Sequence, residues 1–586
     1  MNRYFAIILG FIFAAAAYGE SSTPAELKGF DWNLAGQIAV QANGRIKPLD
    51  SFARETVSAI CGKASYEGQH PVETYFRWMS DGDYWHGQPL LYLPKGKLRS
   101  ELKLEDHTGS RFSFAEMQDA RELMTLAMAG EDARAAGGKA SFVQTKAAEF
   151  LDHMNVLSGV FTHEAPLFVP AAASADGENT WRSMPGVVAM FSDSALLDSN
   201  SKTVSDTLQT LTLAWAGLYN SVRENRGDIF NISARMFAEV QQKMLPQPVV
   251  FSKLAWEYWY NRLKPFWWAR LLLALGFAGF LFSLRQGYER FKTAGLMGLA
   301  AGFVLYTAGM AMRAYVSGRA PWTNMYESLL AIGWAVVLIS MLYELAKRER
   351  IFGMVGGILG AVILTIAQAA ALDRGINVLV PALQSYWLNY HVIITLSGYA
   401  CFAIAMGIGH GVLISGVRSK GEVTPSLSKL TKANLRIIQV GTLLLVTGIL
   451  LGAVWANVSW GRFWGWDPKE TWALICWFVY IALLHGRSAG WLGWRGLAAY
   501  SVGAFPIVIM TYYGVNYYLS GLHSYGAGTA PGVPWQILAY MVVEGAFLFW
   551  ALGQLRGKVP VRAKKTRPVV ADEVTGLNTK STEVSS

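Results

Sequence analysis

Apolar positions are spread unevenly along the chain. C-terminal of Pro265, runs of about twenty apolar residues, the length that crosses a bilayer as a helix, recur at roughly 266–285, 294–312, 328–346, 352–372, 391–416, 437–456, 471–486, 497–518 and 535–554, nine in all. N-terminal of Pro265 only the opening MNRYFAIILGFIFAAAAYGES is comparable: Arg3 precedes an apolar stretch, and small residues precede Glu20. That is the pattern of a secretory signal, cleaved near Gly19 or retained as an anchor. Residues 1–19 are therefore assigned to a signal peptide or anchor and 20–265 to an exported domain.

Within that domain, NGRIKPLD at Asn43 to Asp50 reads as a turn followed by a helix starting near Ser51. From Phe114 to Leu245 the apolar spacing is largely helical, interrupted by the polar loop AAASADGENT. The expected fold is an all-α polytopic membrane protein, with about nine transmembrane helices over 266–555 after the signal or anchor, and a mainly helical exported domain. Residues 556–586 form a basic tail, expected to be disordered and cytoplasmic.

Charge changes the picture in one respect. The chain carries 51 Lys and Arg against 41 Asp and Glu, a formal net charge of +10. The positive residues cluster in alternate loops: Arg285, Arg290 and Lys292; Lys347, Arg348 and Arg350; Arg418 to Arg436; Arg487 and Arg495; and the tail from Arg556. The intervening loops carry only Arg313 and Arg319, Arg374, and Arg462 and Lys469. The excess is thus an orientation signal rather than a nucleic-acid footprint, and it places the same side outward as the signal segment does. The expected location is a bacterial inner membrane, multi-pass in its lipid bilayer, with the N-terminal domain in the periplasm. Cys61, Cys401 and Cys476 have no CxxC spacing, which excludes a thiol-redox motif.

The candidate chemistry lies on the outward side. The loop WANVSWGRFWGWDPKETWALICW, 455–477, holds six of the chain's 22 tryptophans. An interfacial aromatic belt accounts for two or three of them. It does not account for Gly461 and Gly465 between Trp460, Trp464 and Trp466, where missing side chains let a flat ligand approach. Asp467, Pro468 and Glu470 read as N-cap, N1 and N3 of a helix. Lys469 has no such duty and suits an acidic ligand group, a haem propionate for example. His391 and His523 flank this loop on the same face, each entering or leaving an apolar span. Two neutral imidazoles beside an aromatic bed and a cation are what haem iron, its macrocycle and its carboxylates require. His410 and His485 lie near the inner ends of spans, where a bonded structural histidine and a functional one are equally open readings.

At WGRFWGWDPKETW, Trp460 to Trp472, the sequence resembles the CcsA family of cytochrome c biogenesis proteins, defined by a tryptophan-rich WWD motif. SGRAPWTNMYE (Ser317 to Glu327), ALQSYWLNYH and GVNYYLSGLHSYG extend the resemblance over the membrane half, and NGRIKPLDSFARE is similar to an N-terminal extension of some members. The resemblance implies that His391 and His523 are axial ligands of haem b and that His485 is an intramembrane haem-binding histidine. It also implies that the protein presents haem to the CxxCH motif of apocytochrome c within a holocytochrome c synthase complex. The family's partner, CcsB or ResB, has no recognisable half here, which implies a separate CcsB/ResB-like chain. Two other readings remain: a haem transporter or chaperone serving a separate synthase, and an ion-coupled secondary transporter. No Ser/His/Asp set, P-loop or zinc motif has the spacing for side-chain catalysis.

Overall fold

The computed structural model describes residues 26–136, 140–170, 181–192, 202–245, 248–370, 372–379, 383–519, 521–523 and 534–556. The signal or anchor segment, the loop AAASADGENT and the tail beyond Arg556 lie outside the described residues.

The N-terminal domain is mainly helical, with three short two-stranded sheets among its described residues. The turn at Asn43 is the tip of a hairpin: β1 (Ala39–Ala42) pairs antiparallel with β2 (Arg45–Pro48) across Asn43 and Gly44, both at positive φ. A two-residue Asn-Gly loop matches the natural twist of paired strands. Helix α1 (Leu49–Cys61) follows at once and ends at Gly62, whose φ of 67° supplies a left-handed cap. A second hairpin joins β3 (Pro89–Tyr92) to β4 (Arg111–Ser113). Helix α2 (Phe142–Phe161) starts from a Ser141–Gln144 capping box and buries Phe150, Met154 and Leu157. A main apolar cluster, including Trp78, Phe76, Phe230 and Phe237, and a smaller one around Ala39, Trp181, Leu245 and Leu254 pack this domain, separate from that of the membrane half.

Helix α3 (Pro248–Leu263) is the strut between the two halves. On one side its Glu257 carboxylate accepts both guanidinium nitrogens of Arg45 at 2.7 Å, and Asn261 donates to Asp50 (3.1 Å) and Ser51 (2.8 Å). On the other, the Tyr260 hydroxyl accepts from Arg313 at 3.3 Å. Lys264, at φ 46°, turns the chain before Pro265 opens the membrane bundle.

The bundle comprises α4 (Pro265–Phe282), α5 (Phe291–Ser317), α6 (Met325–Lys347), α7 (Ile351–Ala369), α8 (Tyr386–Arg418), α9 (Pro425–Trp460), α10 (Pro468–Ser488), α11 (Trp494–Tyr518) and α12 (Trp535–Leu555). All nine expected segments are helical. Eight among the described residues are long and apolar enough to cross a membrane, and α10 is the exception. Its 21 residues suffice in length, but Lys469, Glu470, His485 and Arg487 crowd its ends. The chain is a multi-pass membrane protein. Small residues allow close helix contact: a Cβ on Gly276 would lie 2.8 Å from the Leu299 nitrogen, and one on Gly279 2.7 Å from that of Gly295.

Candidate functional site: two histidines on the floor of a shared cavity

At the end of the bundle nearest the N-terminal domain, α5 and α6 are tied by a buried charge cluster. Glu327, fully buried, accepts from Arg313 (2.8 Å), Arg319 (2.8 Å) and the Thr323 backbone N–H (3.1 Å). The two arginines also donate to the carbonyls of Arg374 (2.9 Å), Gly375 (3.3 Å) and Asn377 (3.2 Å). These bonds pin the loop 372–379, which forms one wall of a cavity of about 1460 Å³.

His391 and His523 stand on the floor of that cavity. On α8, His391 Nδ1 is 2.7 Å from the Gly448 carbonyl of α9. A carbonyl only accepts, so Nδ1 carries the proton and Nε2 of the neutral ring keeps its lone pair. The ring fits because α9 carries glycine at two positions one turn apart. A Cβ on Gly452 would lie 2.6 Å from His391 Cε1, and one on Gly448 would strike Thr395 Oγ1. His523 is held in the same manner by another partner. Its Nδ1 lies 2.9 Å from Asp467 Oδ2, while Oδ1 of that carboxylate accepts from the Leu522 N–H at 2.6 Å. Neither Nε2 has a hydrogen-bond partner among the described residues.

Asp467 also caps α10, accepting from the Lys469 N–H at 3.1 Å, and Glu470 returns to the Asp467 N–H at 3.2 Å. The cap read from the sequence therefore carries a second load, the orientation of a histidine. Burial disfavours the charged carboxylate of Asp467, but the bonds from His523 and two backbone N–H groups outweigh this and hold it below its ordinary value. Glu470 also accepts from the Gly465 N–H (2.8 Å) and pairs with Arg462 (3.1 Å), which shapes the tryptophan-rich loop.

Trp455, 1% exposed, connects the two histidines. Its ring lies nearly parallel to His391 (6.1 Å, 10°) and edge-on to His523 (5.4 Å, 62°). Trp460 completes the packing, 4.9 Å from His523. The Trp455 indole N–H is buried without a partner among the described residues, a cost that a ligand acceptor relieves. Trp464 and Lys469 line the cavity. Lys469 Nζ has no carboxylate partner among the described residues, and its one bond is a long 3.4 Å contact to the Tyr512 carbonyl.

Other expected residues stand apart. Trp466, at φ 56° and 70% exposed, packs edge-on against Trp464 outside the cavity. Gly461 ends α9 at φ 71°, and Gly465 faces the Arg462 guanidinium, so both have local reasons to be glycine. His485 is exposed at the far end of α10. His410 bonds to Glu544 of α12 at 2.9 Å.

Several contributors were not legible as site residues. Gly448 and Gly452 lie inside an apolar run, and their only signal is a small-residue spacing on one helix face; Trp455 was in view only as one of the six tryptophans of the 455–477 loop. The π-helical turn Met510–Gly514 in α11, a feature frequent at functional sites, turns Tyr512 and Tyr513 to the cavity.

Residues 322–523 match the family described as cytochrome C assembly protein. Protein NrfI of Wolinella succinogenes is 30% identical over 518 residues, 86% of this chain and 54% of that protein, so the chain spans about half the length of NrfI. The cytochrome c biogenesis protein CcsA of Synechococcus sp. (strain CC9605) is 36% identical over 295 residues, 44% of this chain and 97% of that protein. CcsA of Prochlorococcus marinus (strain MIT 9313) is 35% identical over 299 residues, covering 44% and 93% respectively.

Proposed function

Since the chain belongs to the CcsA family and has a role in cytochrome c biogenesis, we propose that it holds haem b between His391 and His523 and presents it to the CxxCH motif of apocytochrome c. The observation that carries this reading is the matched pair of imidazoles. Each has Nδ1 tied down and Nε2 unengaged, on the floor of one cavity. Fixing the far nitrogen of a metal-ligating histidine sets the tautomer and ring orientation and raises its basicity. Trp455, Phe463 and Trp464 offer aromatic surface to the cavity, with Trp460 packed behind His523, and Lys469 offers a cation for a propionate.

Attachment needs no side-chain nucleophile. Each acceptor thiol adds across a haem vinyl: a C–S bond forms at one vinyl carbon, the thiol hydrogen passes to the other, and no oxidant is consumed. The protein's contribution is positioning and bis-histidine control of the iron. The acceptor's own histidine then replaces one of the two ligands. On this reading the cavity faces the periplasm, as the distribution of Lys and Arg among the loops supports. The chain acts in the inner membrane beside a CcsB/ResB-like partner. His485, exposed on α10 far from the cavity, serves haem entry from the other side of the bilayer.

The test is a visible absorption spectrum of detergent-purified protein, wild type beside His391→Ala, His523→Ala and the double variant. A bis-histidine spectrum that each single change weakens, that free imidazole partly restores, and that the double change abolishes is the expected result. Unchanged haem content and spectrum in all three variants would sink the assignment.

A further inference from the structure

The cavity that holds His391 and His523 on its floor has a roof made by the N-terminal domain. Its volume of about 1460 Å³ exceeds the roughly 300–1,000 Å³ that a single small ligand or cofactor needs, so the floor does not account for all of it. Ala59 at the end of α1, Leu93 and Lys97 after β3, and Phe150 and His153 on α2 line the upper part.

The chemistry of this roof differs from that of the floor. Leu93 and Phe150, core residues at 5% and 4% exposure, lie just beneath this lining and make it apolar. The segment Pro94–Lys97 is exposed, and a Cβ on Gly96 would meet nothing within 4 Å, so its backbone is open to approach. Lys95 and Lys97 have no ion-pair partner among the described residues, unlike Lys146, which is paired with Glu149. His153 makes no hydrogen bond among the described residues, and burial keeps its imidazole neutral, able to donate from one nitrogen and accept at the other.

We propose that this roof is the seat of the acceptor: an extended, cysteine-bearing peptide segment of the unfolded apocytochrome, held over the floor by the N-terminal domain. The proposal rests on the floor being the haem site. A reactant that adds to the edge of a ring system gripped from the membrane side has to come from the opposite side, and that side is the roof. Exposed backbone, an apolar shelf and an unpaired imidazole suit a peptide, which brings alternating carbonyls, N–H groups and side chains. The two free ammonium groups favour the thiolate, the reactive form of cysteine. A second planar ligand would make no use of the exposed backbone at Pro94–Lys97.

The experiment uses the full-length protein and a fluorescent synthetic dodecapeptide carrying Asp-Xaa-Xaa-Asp-His in place of Cys-Xaa-Xaa-Cys-His, whose carboxylates stand in for the thiolates and which binds without adding to a vinyl. Fluorescence anisotropy gives its affinity, and the visible spectrum of the same sample gives haem occupancy. Ala59→Trp fills the roof from an exposed helix position, and Lys95→Glu with Lys97→Glu reverses its charge on a surface loop. Each is expected to weaken the peptide at least tenfold with the haem spectrum unchanged. Wild-type protein that binds no peptide, variants that bind it as wild type does, or variants that lose haem in parallel would each overturn the proposal. Wild-type protein without haem that still binds peptide, with both variants weakened, would leave the roof standing and remove the haem reading beneath it.

Discussion

Glu327 offers the sharpest energetic test, because it joins one buried and one half-buried guanidinium group to the loop that walls the cavity. Its side chain is 0% exposed and that of Arg313 1%, against 15% for Arg319. Replacing Glu327 with Gln keeps the volume, removes the charge and turns an amide N–H₂ toward donors, so Arg313 is left buried without its counter-charge. Breaking a buried pair in this way costs about 3–5 kcal/mol, a large part of the roughly 5–15 kcal/mol that holds a typical domain together. At about 2 °C per kcal/mol, the scale of larger domains, the apparent melting temperature should fall by roughly 6–10 °C. The structure supplies the probe: Cys61, Cys401 and Cys476 are all free and buried, so a maleimide dye reports unfolding as each thiol becomes reachable. A variant retaining only Cys401, on α8, reads the membrane bundle alone. The reasoning also requires that Glu327→Leu combined with Arg313→Met recover more than half of the loss, because the penalty comes from an orphaned charge rather than from the worth of the pair. A Glu327→Gln protein that melts within about 1 °C of wild type would refute the argument, as would a double variant less stable than the single one.

Further outcomes follow from the site. Asp467→Asn replaces the acceptor that orients His523, and loss of such an outer partner should weaken haem retention by about 10–100-fold, measured by competition with an apo-globin. The carboxyl of Asp467 lies below its unfolded value, so its stabilisation is complete above the ordinary carboxylate range and disappears as pH falls through the depressed value. Wild type should accordingly lose stability below about pH 4 more steeply than Asp467→Asn does, and parallel acid limbs would contradict this. Gly452→Val should displace the His391 ring, because even a Cβ would approach it to 2.6 Å; resonance Raman of the bound haem should then show altered axial ligation, with His523→Ala as the comparison. Trp464→Ala should raise the haem off-rate, whereas Trp466→Ala, at an outward-facing position, should leave it within about twofold of wild type. Equal effects of the two would mean that the cavity wall is drawn wrongly.

The sequence by itself determined the membrane architecture and the start of α10, since each rests on information local to a segment. A twenty-residue apolar run has one way to satisfy its backbone in lipid, and Asp467, Pro468 and Glu470 write a helix start in four residues. The hairpin at Asn43 was legible only as a turn, because four-residue strands are too short to show a period. Only the tertiary structure decided which tryptophans reach the histidines, and Trp455 rather than Trp466 packs against both of them. It also decided that Gly448 and Gly452 of α9 make room for His391, that Asp467 orients His523, and that the N-terminal domain roofs the cavity. These are contacts between segments tens to hundreds of residues apart, fixed by how helices pack and by which face each turns inward. Two glycines in an apolar run look alike in sequence until a ring from another helix is placed against them.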